Sequence, residues 1–346
     1  MRIIFLRKKL ELITAAPPEV RREMPQTILG ETVTVYHGTT LTGLYLIARD
    51  RKLGSPVGFT HKNDSEVTRD GIFYVTIRQN YAYTAVYGWA QYLWPPTLRQ
   101  WLEEWKPNPN WIDQIKQLSE ITYDRISAIT GINDVFDLYL TMRALAQAIR
   151  PGYRVPDAAA VLLKIVMDGN FLRSEAFVDE DIFIWWFAWK SDDIKDKAMK
   201  LALNNEDFRS WIRETTGLKD EEINSKPYIE LSTEAARKGY SKEFYIRMYR
   251  ALREIAENGP YQEDARNFLQ RMAPFSDSFF FSRQLSFDEG GIKAITAEIV
   301  TKWGEIKEID LLNDDQALDK IKEIMKKGVE WYAKYIREEA TKGRPY

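Results

Sequence analysis

The chain of 346 residues has two histidines, and one of them, His37, closes a β-like run in VTVYHGTT, residues 33–40. A buried core strand has little use for an imidazole there, whereas a cleft that takes a polar ligand has one. Gly38 and Thr39 follow directly. A second residue asks for explanation on similar grounds. Glu298 lies in the middle of the β-like ITAEIVT, with Ile292, Ala294, Thr296 and Val300 as its alternation partners. An ordinary strand turns such a face to a core, where an unpaired carboxylate is costly. Glu289, in the DEGG turn, is the second candidate acid. Arg283, in FFFSRQ, is a basic residue within strand-like sequence close to Glu298.

Other chemistries fall away by inspection. There is no Gly-Lys dipeptide and hence no Walker A loop, and no G-x-S-x-G, H-E-x-x-H or G-x-G-x-x-G. The absence of cysteine excludes disulfides, thiolate metal sites and a cysteine nucleophile together. With two histidines, a zinc site would rest mostly on carboxylates, which transition metals do not prefer, so no metal site is expected.

The elements that must position these residues fall into three zones. Up to about residue 95 the chain mixes β-like runs (TVTVY at 32–36, FYVTI at 73–77) with a short amphipathic helix carrying Leu41, Leu44, Tyr45 and Ala48. Residues 96–275 read as a helical insertion. Helices are predicted around 134–149, 157–168, 192–204, 206–215, 242–257 and 261–272, with Asp157 as an N-cap and Thr97/Gln100 as a capping box. Residues 276–346 return to strand. SFFFSRQLSF (278–287) and IKAITAEIVT (292–301) predict a β-hairpin with a four-residue connection, and a helix over 314–340 buries Leu318, Ile321, Met325, Val329, Tyr332 and Ile336. β-rich ends around a helical middle make an α+β fold with a large insertion.

Order and spacing at the N-terminal end resemble the ADP-ribosyltransferase fold of the diphtheria-toxin and poly(ADP-ribose) polymerase type. Tyr36-His37-Gly38-Thr39 looks like that family's [W/Y]-H-G-[T/S] strand end. Gly71, 34 residues on from His37, opens a strand like the family's G-[I/F/V]-Y, and NYAYTAVYGWA follows. The match covers residues 33–90, roughly a sixth of the chain. The resemblance implies a split β-sandwich, with the all-helical insertion and C-terminal helix added to it. It also implies NAD as substrate, with cleavage of the nicotinamide–ribose bond through an oxocarbenium-like centre and transfer of ADP-ribose to a macromolecular acceptor. His37 would then anchor a ribose, with Gly38, Thr39 and Gly71 lining the cleft. An aromatic ring, Phe73 or Tyr74, would stack on nicotinamide. Glu298 would stabilise the cation, and Arg283 would pair either a phosphate or that Glu. The family's Tyr stands two residues after the strand Gly, where this chain has Phe73.

Composition narrows the partners. Net charge is −2, so no global basic field draws the chain to nucleic acid or an anionic surface, and the expected acceptor is protein. The N-terminal apolar run, Ile3 to Leu6, is too short for a signal peptide, and Ile182 to Trp189 is too short to span a bilayer. The expectation is a cytoplasmic protein that does not cross a membrane, with homo-oligomers possible through the Ile182–Trp189 run. The aromatics from Tyr81 to Trp111 are expected to pack the insertion against the β part. They also carry the alternative reading: a non-catalytic relative or structural protein that uses an aromatic-rich helical surface for protein contacts. A third reading, an NAD-using RNA 2′-phosphotransferase, lacks the basic residues that chemistry wants near the motif. His61, in a polar loop, reads as a surface residue.

Overall fold

A computed structural model describes residues 31–54, 73–80, 82, 108–149, 155–178 and 180–341. Gly71, His61, the Thr97/Gln100 capping box and the aromatic residues from Tyr83 to Trp105, with Tyr81, lie outside that set. Within it the chain is a mixed helix and sheet protein of α+β type built on one antiparallel sheet. No helix among the described residues is long and apolar enough to cross a membrane.

The sheet has seven strands, β1 (Thr32–Thr40), β3 (Phe73–Thr76), β4 (Ala159–Asp168), β5 (Phe177–Val178), β6 (Ser278–Phe281), β8 (Ile292–Thr301) and β9 (Ile306–Asp310), in the order β5-β6-β3-β1-β4-β8-β9. A two-stranded ribbon joins β2 (Lys52–Leu53) to β7 (Leu285–Ser286). β1 lies against β4 along its whole length, from Thr32↔Asp168 to Thr40↔Ala160, and β4 continues into β8. One face of these three strands is dry. Val35, Val161, Leu163, Ile165, Ala297 and Ile299 are all fully buried.

Three helices form the layer beside them. They are α1 (Leu41–Asp50), α4 (Val135–Ile149) and α13 (Ala317–Thr341), with α13 packed on both α1 and α4, and α1 on β1 and β4. α13 buries Ile321, Met325, Val329, Tyr332 and Ile336 on one face, as its spacing predicts. The apolar stripe that the sequence predicts through Trp111, Ile115, Leu118, Ile126 and Ile129 up to Gly131 forms two short helices, α2 (Pro109–Gln117) and α3 (Tyr123–Thr130), which Gly131 closes. The remaining helices are α5 (Gly169–Glu175), α6 (Glu180–Ala188), α7 (Asp192–Ala202), α8 (Glu206–Thr216), α9 (Asp220–Ser225), α10 (Tyr228–Arg237), α11 (Ser241–Asn258) and α12 (Gln262–Gln270). They gather at the β5 edge, where the Tyr249 hydroxyl donates to the Val178 carbonyl and the Arg253 guanidinium sits 5.4 Å from the Phe280 ring centre.

Two expectations are corrected. Residues 157–168 are not a helix. From Ala159 they form β4, a central strand of the sheet, so the 96–275 stretch is not all helical. Ala159 to Leu163 form an unbroken apolar run buried on both faces, so the first half of the strand lacks the alternation that distinguishes it from a buried helix; the exposed Lys164 comes only after it. The 278–287 and 292–301 segments do not pair with each other either. β6 joins β3 and β5, β7 joins β2, and β8 makes its hairpin with β9. The apolar run of α6 is core at Phe183, Trp186 and Phe187, leaving Trp189 47% exposed at its end.

Candidate functional site

Strand register decides which of the singled-out side chains share a face. Residues directly opposite in an antiparallel pair point the same way, and neighbours along a strand point opposite ways. His37 stands opposite Leu163, which stands opposite Ala297, so these three share the dry face. Gly38 stands opposite Leu162, which stands opposite Glu298. His37 and Glu298 therefore project from opposite faces, with β4 between their strands. The expected His37–Glu298 pairing in one cleft is not formed. Tyr36 pairs with Thr76, which puts Tyr74 on the Glu298 face and Phe73 on the His37 face.

β1 and β3 are paired at one position, Tyr36↔Thr76, and beyond it the imidazole takes over. Nδ1 of His37 lies 2.6 Å from the Tyr74 carbonyl oxygen. A carbonyl only accepts, so Nδ1 carries the proton and Nε2 is left as an acceptor. Burial pulls the imidazole pKa down to about 4, against a smaller upward pull from that hydrogen bond, so the ring is neutral at neutral pH.

The Phe73 ring lies 4.6 Å from the His37 ring at 44°, and on its other side Phe281 and then Phe171 continue the row at 6.5 and 5.9 Å. Phe73 is 1% exposed, so its ring is packed by protein and would have to leave that contact to stack on a ligand. Tyr74 packs on Phe280 at 5.5 Å across the other face. Thr39 shares the His37 face, half-buried at the entry to α1. Thr40 caps that helix, its hydroxyl accepting from the Gly43 amide at 3.1 Å.

Arg283 pairs with Glu289, the second-choice acid, and not with Glu298. Its two terminal nitrogens reach the two Glu289 oxygens at 2.7 and 2.8 Å, and one reaches Glu175 at 3.4 Å. That fork ties α5 to the turns on either side of β7, and the hydrogen bonds to Arg283 hold the Glu289 carboxyl below its ordinary value.

One carboxylate at the end of β3 is not singled out by the sequence. Asp277 precedes Ser278, the partner of Thr76. Its carbonyl accepts from Ile77 N–H at 2.9 Å and from the Thr76 hydroxyl at 2.8 Å, and its carboxylate pairs with Arg78 at 2.7 Å. The signal available was an acid directly before an aromatic strand, in SDSFFF, which is common at strand entries and carries little specificity. Among the described residues no group of three or more acidic or histidine side chains is placed to hold a metal.

Comparison of the chain with known protein families, curated proteins and solved structures returns no match.

Proposed function

We propose that the chain is an ADP-ribosyltransferase-like enzyme that cleaves the nicotinamide–ribose bond of NAD and passes ADP-ribose to a protein acceptor, with its site where β1 and β3 part. The observation that carries this reading is His37 itself. It is a neutral imidazole, oriented through Nδ1 by a backbone carbonyl, with Nε2 left to accept from a sugar hydroxyl. The chemistry asks for a carboxylate near the developing oxocarbenium. Glu298 leaves from the face opposite His37, and the Asp277 carboxylate, with β3 between its strand and β1, is taken by Arg78, so the reading rests on His37 and not on an assigned acid. NAD supplies the scissile bond. This chain's residues orient the ribose.

Two observations favour the second reading, a non-catalytic relative or protein-interaction protein. The Phe73 ring is packed by protein, and Glu298 does not face His37. In that case the exposed aromatics of the helical side, Trp189, Tyr240 and Tyr261, offer contact area. NAD binding separates the two readings. The enzyme reading expects saturating NAD to raise the melting temperature and nicotinamide to be released. Neither effect is expected of a protein-interaction module.

A further inference from the structure

Behind the β1–α1 junction lies a charged pair removed from solvent. Asp157, read from sequence as a helix cap, is 0% exposed, and Arg143, facing it from α4, is 1% exposed. One Asp157 oxygen accepts from Arg143 Nη1 at 2.7 Å and from the Thr42 hydroxyl at 3.1 Å. The other accepts from the Tyr139 hydroxyl at 2.5 Å and the Ala159 amide at 3.4 Å. Tyr139 takes the Ala158 amide at 3.1 Å in return. Burial and then the Asp157 charge push the Tyr139 hydroxyl well above its ordinary pKa, so it remains a donor. From α13, Tyr332 donates to the Pro156 carbonyl at 3.1 Å, and Gly328 leaves room for the Tyr139 ring, which a Cβ there would meet at 2.5 Å. On the strand side, Lys302 of the β8–β9 turn senses the Asp157 charge, which opposes the lowering of its pKa by burial.

A buried ion pair is a poor source of net stability, because well-packed apolar residues of the same volume often do as well or better. What it supplies is geometry. It reaches α1 through the hydroxyl of Thr42, in the first helical turn. No loop separates Thr40, the last residue of β1, from Leu41, the first of α1. The end of β1 is thus held on one side by β4, through Thr40↔Ala160, and at its exit by Asp157 through Thr42. Toward β3, the one paired position comes before His37.

We infer that Asp157, oriented by Arg143 and Tyr139, is a positioning residue: through Thr42 it fixes the exit of β1 and so holds the His37 imidazole on the Tyr74 carbonyl. This concerns the ring's placement and stands whether or not NAD is the ligand.

The test is nitrogen-15 NMR of histidine-labelled full-length protein, with the two histidines told apart by His61→Gln. Thr42→Val removes one hydroxyl without changing side-chain shape, Thr42→Ser keeps the hydroxyl, and Asp157→Asn alters the hub. In the wild type, the Nδ1-protonated tautomer of His37 is expected, with a slowly exchanging ring proton. Thr42→Val and Asp157→Asn should broaden or lose that proton and raise the His37 titration midpoint by about one unit toward the free value. Thr42→Ser should restore both. A merely structural role lowers the melting temperature and leaves the imidazole spectrum alone. A folded Thr42→Val with wild-type His37 signals overturns the inference, even if Asp157→Asn does not fold.

Discussion

At the scale of single residues, the decisive fact is the state of His37. Its folded pKa, about 4, lies below the 6.5 of an unfolded histidine, so between those values the unfolded chain binds more protons than the native one. The stability tied to the neutral ring is therefore fully present above pH 6.5 and is lost as pH falls toward 4. Because the ring is only half-buried, the contribution is at most about 3 kcal/mol. Urea unfolding across that window should show stability rising with pH in the wild type and a shallower rise in His37→Gln. Equal slopes would mean that the ring is hydrated and titrates normally. A second residue-scale prediction concerns Gly43. A Cβ there would lie 2.2 Å from the Thr39 hydroxyl oxygen, so alanine would force Thr39 out of its rotamer. The gain of about 1 kcal/mol that alanine normally brings to a helix interior should be largely cancelled in Gly43→Ala and recovered in a Thr39→Ala background. A double-mutant cycle with no coupling would show that Thr39 turns away freely.

Among the elements, what sequence made legible depended on whether period survived burial. α1 and α13 were readable because each keeps an apolar stripe, whereas α4 is buried on every side from Leu138 to Gln147 and was readable by its length. β1 was readable because TVTVY alternates. β4 was not, since both of its faces are covered over Ala159–Leu163 and Ala-Ala-Val-Leu-Leu carries no period. That single miss also hid the site's geometry. With β4 taken for a helix, β1 and β8 had no strand between them, and the opposite facing of His37 and Glu298 was invisible. Asp157 was misread for the same reason: an acid before an apolar run looks like a cap until the run proves to be a strand. The Arg143–Asp157 pair gives this level its prediction. Arg143→Met leaves a buried carboxylate without its cation and should cost about 3–5 kcal/mol in urea unfolding, while adding Asp157→Leu should recover most of the loss. If the double variant is as unstable as the single, packing and not charge is what the pair provides.

For the whole molecule, the exposed margin among the described residues is β9, at one end of the sheet. Pairing two copies antiparallel through this edge puts Lys307 on Lys307 or Glu308 on Glu308, both repulsive, so the strand is guarded against self-association although Ile306 is exposed. Lys307→Val with Glu308→Val should therefore self-associate with rising concentration in sedimentation velocity, where the wild type does not through this edge. Unchanged sedimentation would locate the protection elsewhere. The central claim, that the parting of β1 and β3 is an NAD site built on His37, is tested most directly by nicotinamide release from NAD in the wild type, His37→Ala and Glu298→Gln. The account predicts release by the wild type, its loss in His37→Ala and its persistence in Glu298→Gln. Release that survives His37→Ala, or a wild type that neither releases nicotinamide nor gains melting temperature at saturating NAD, would contradict it.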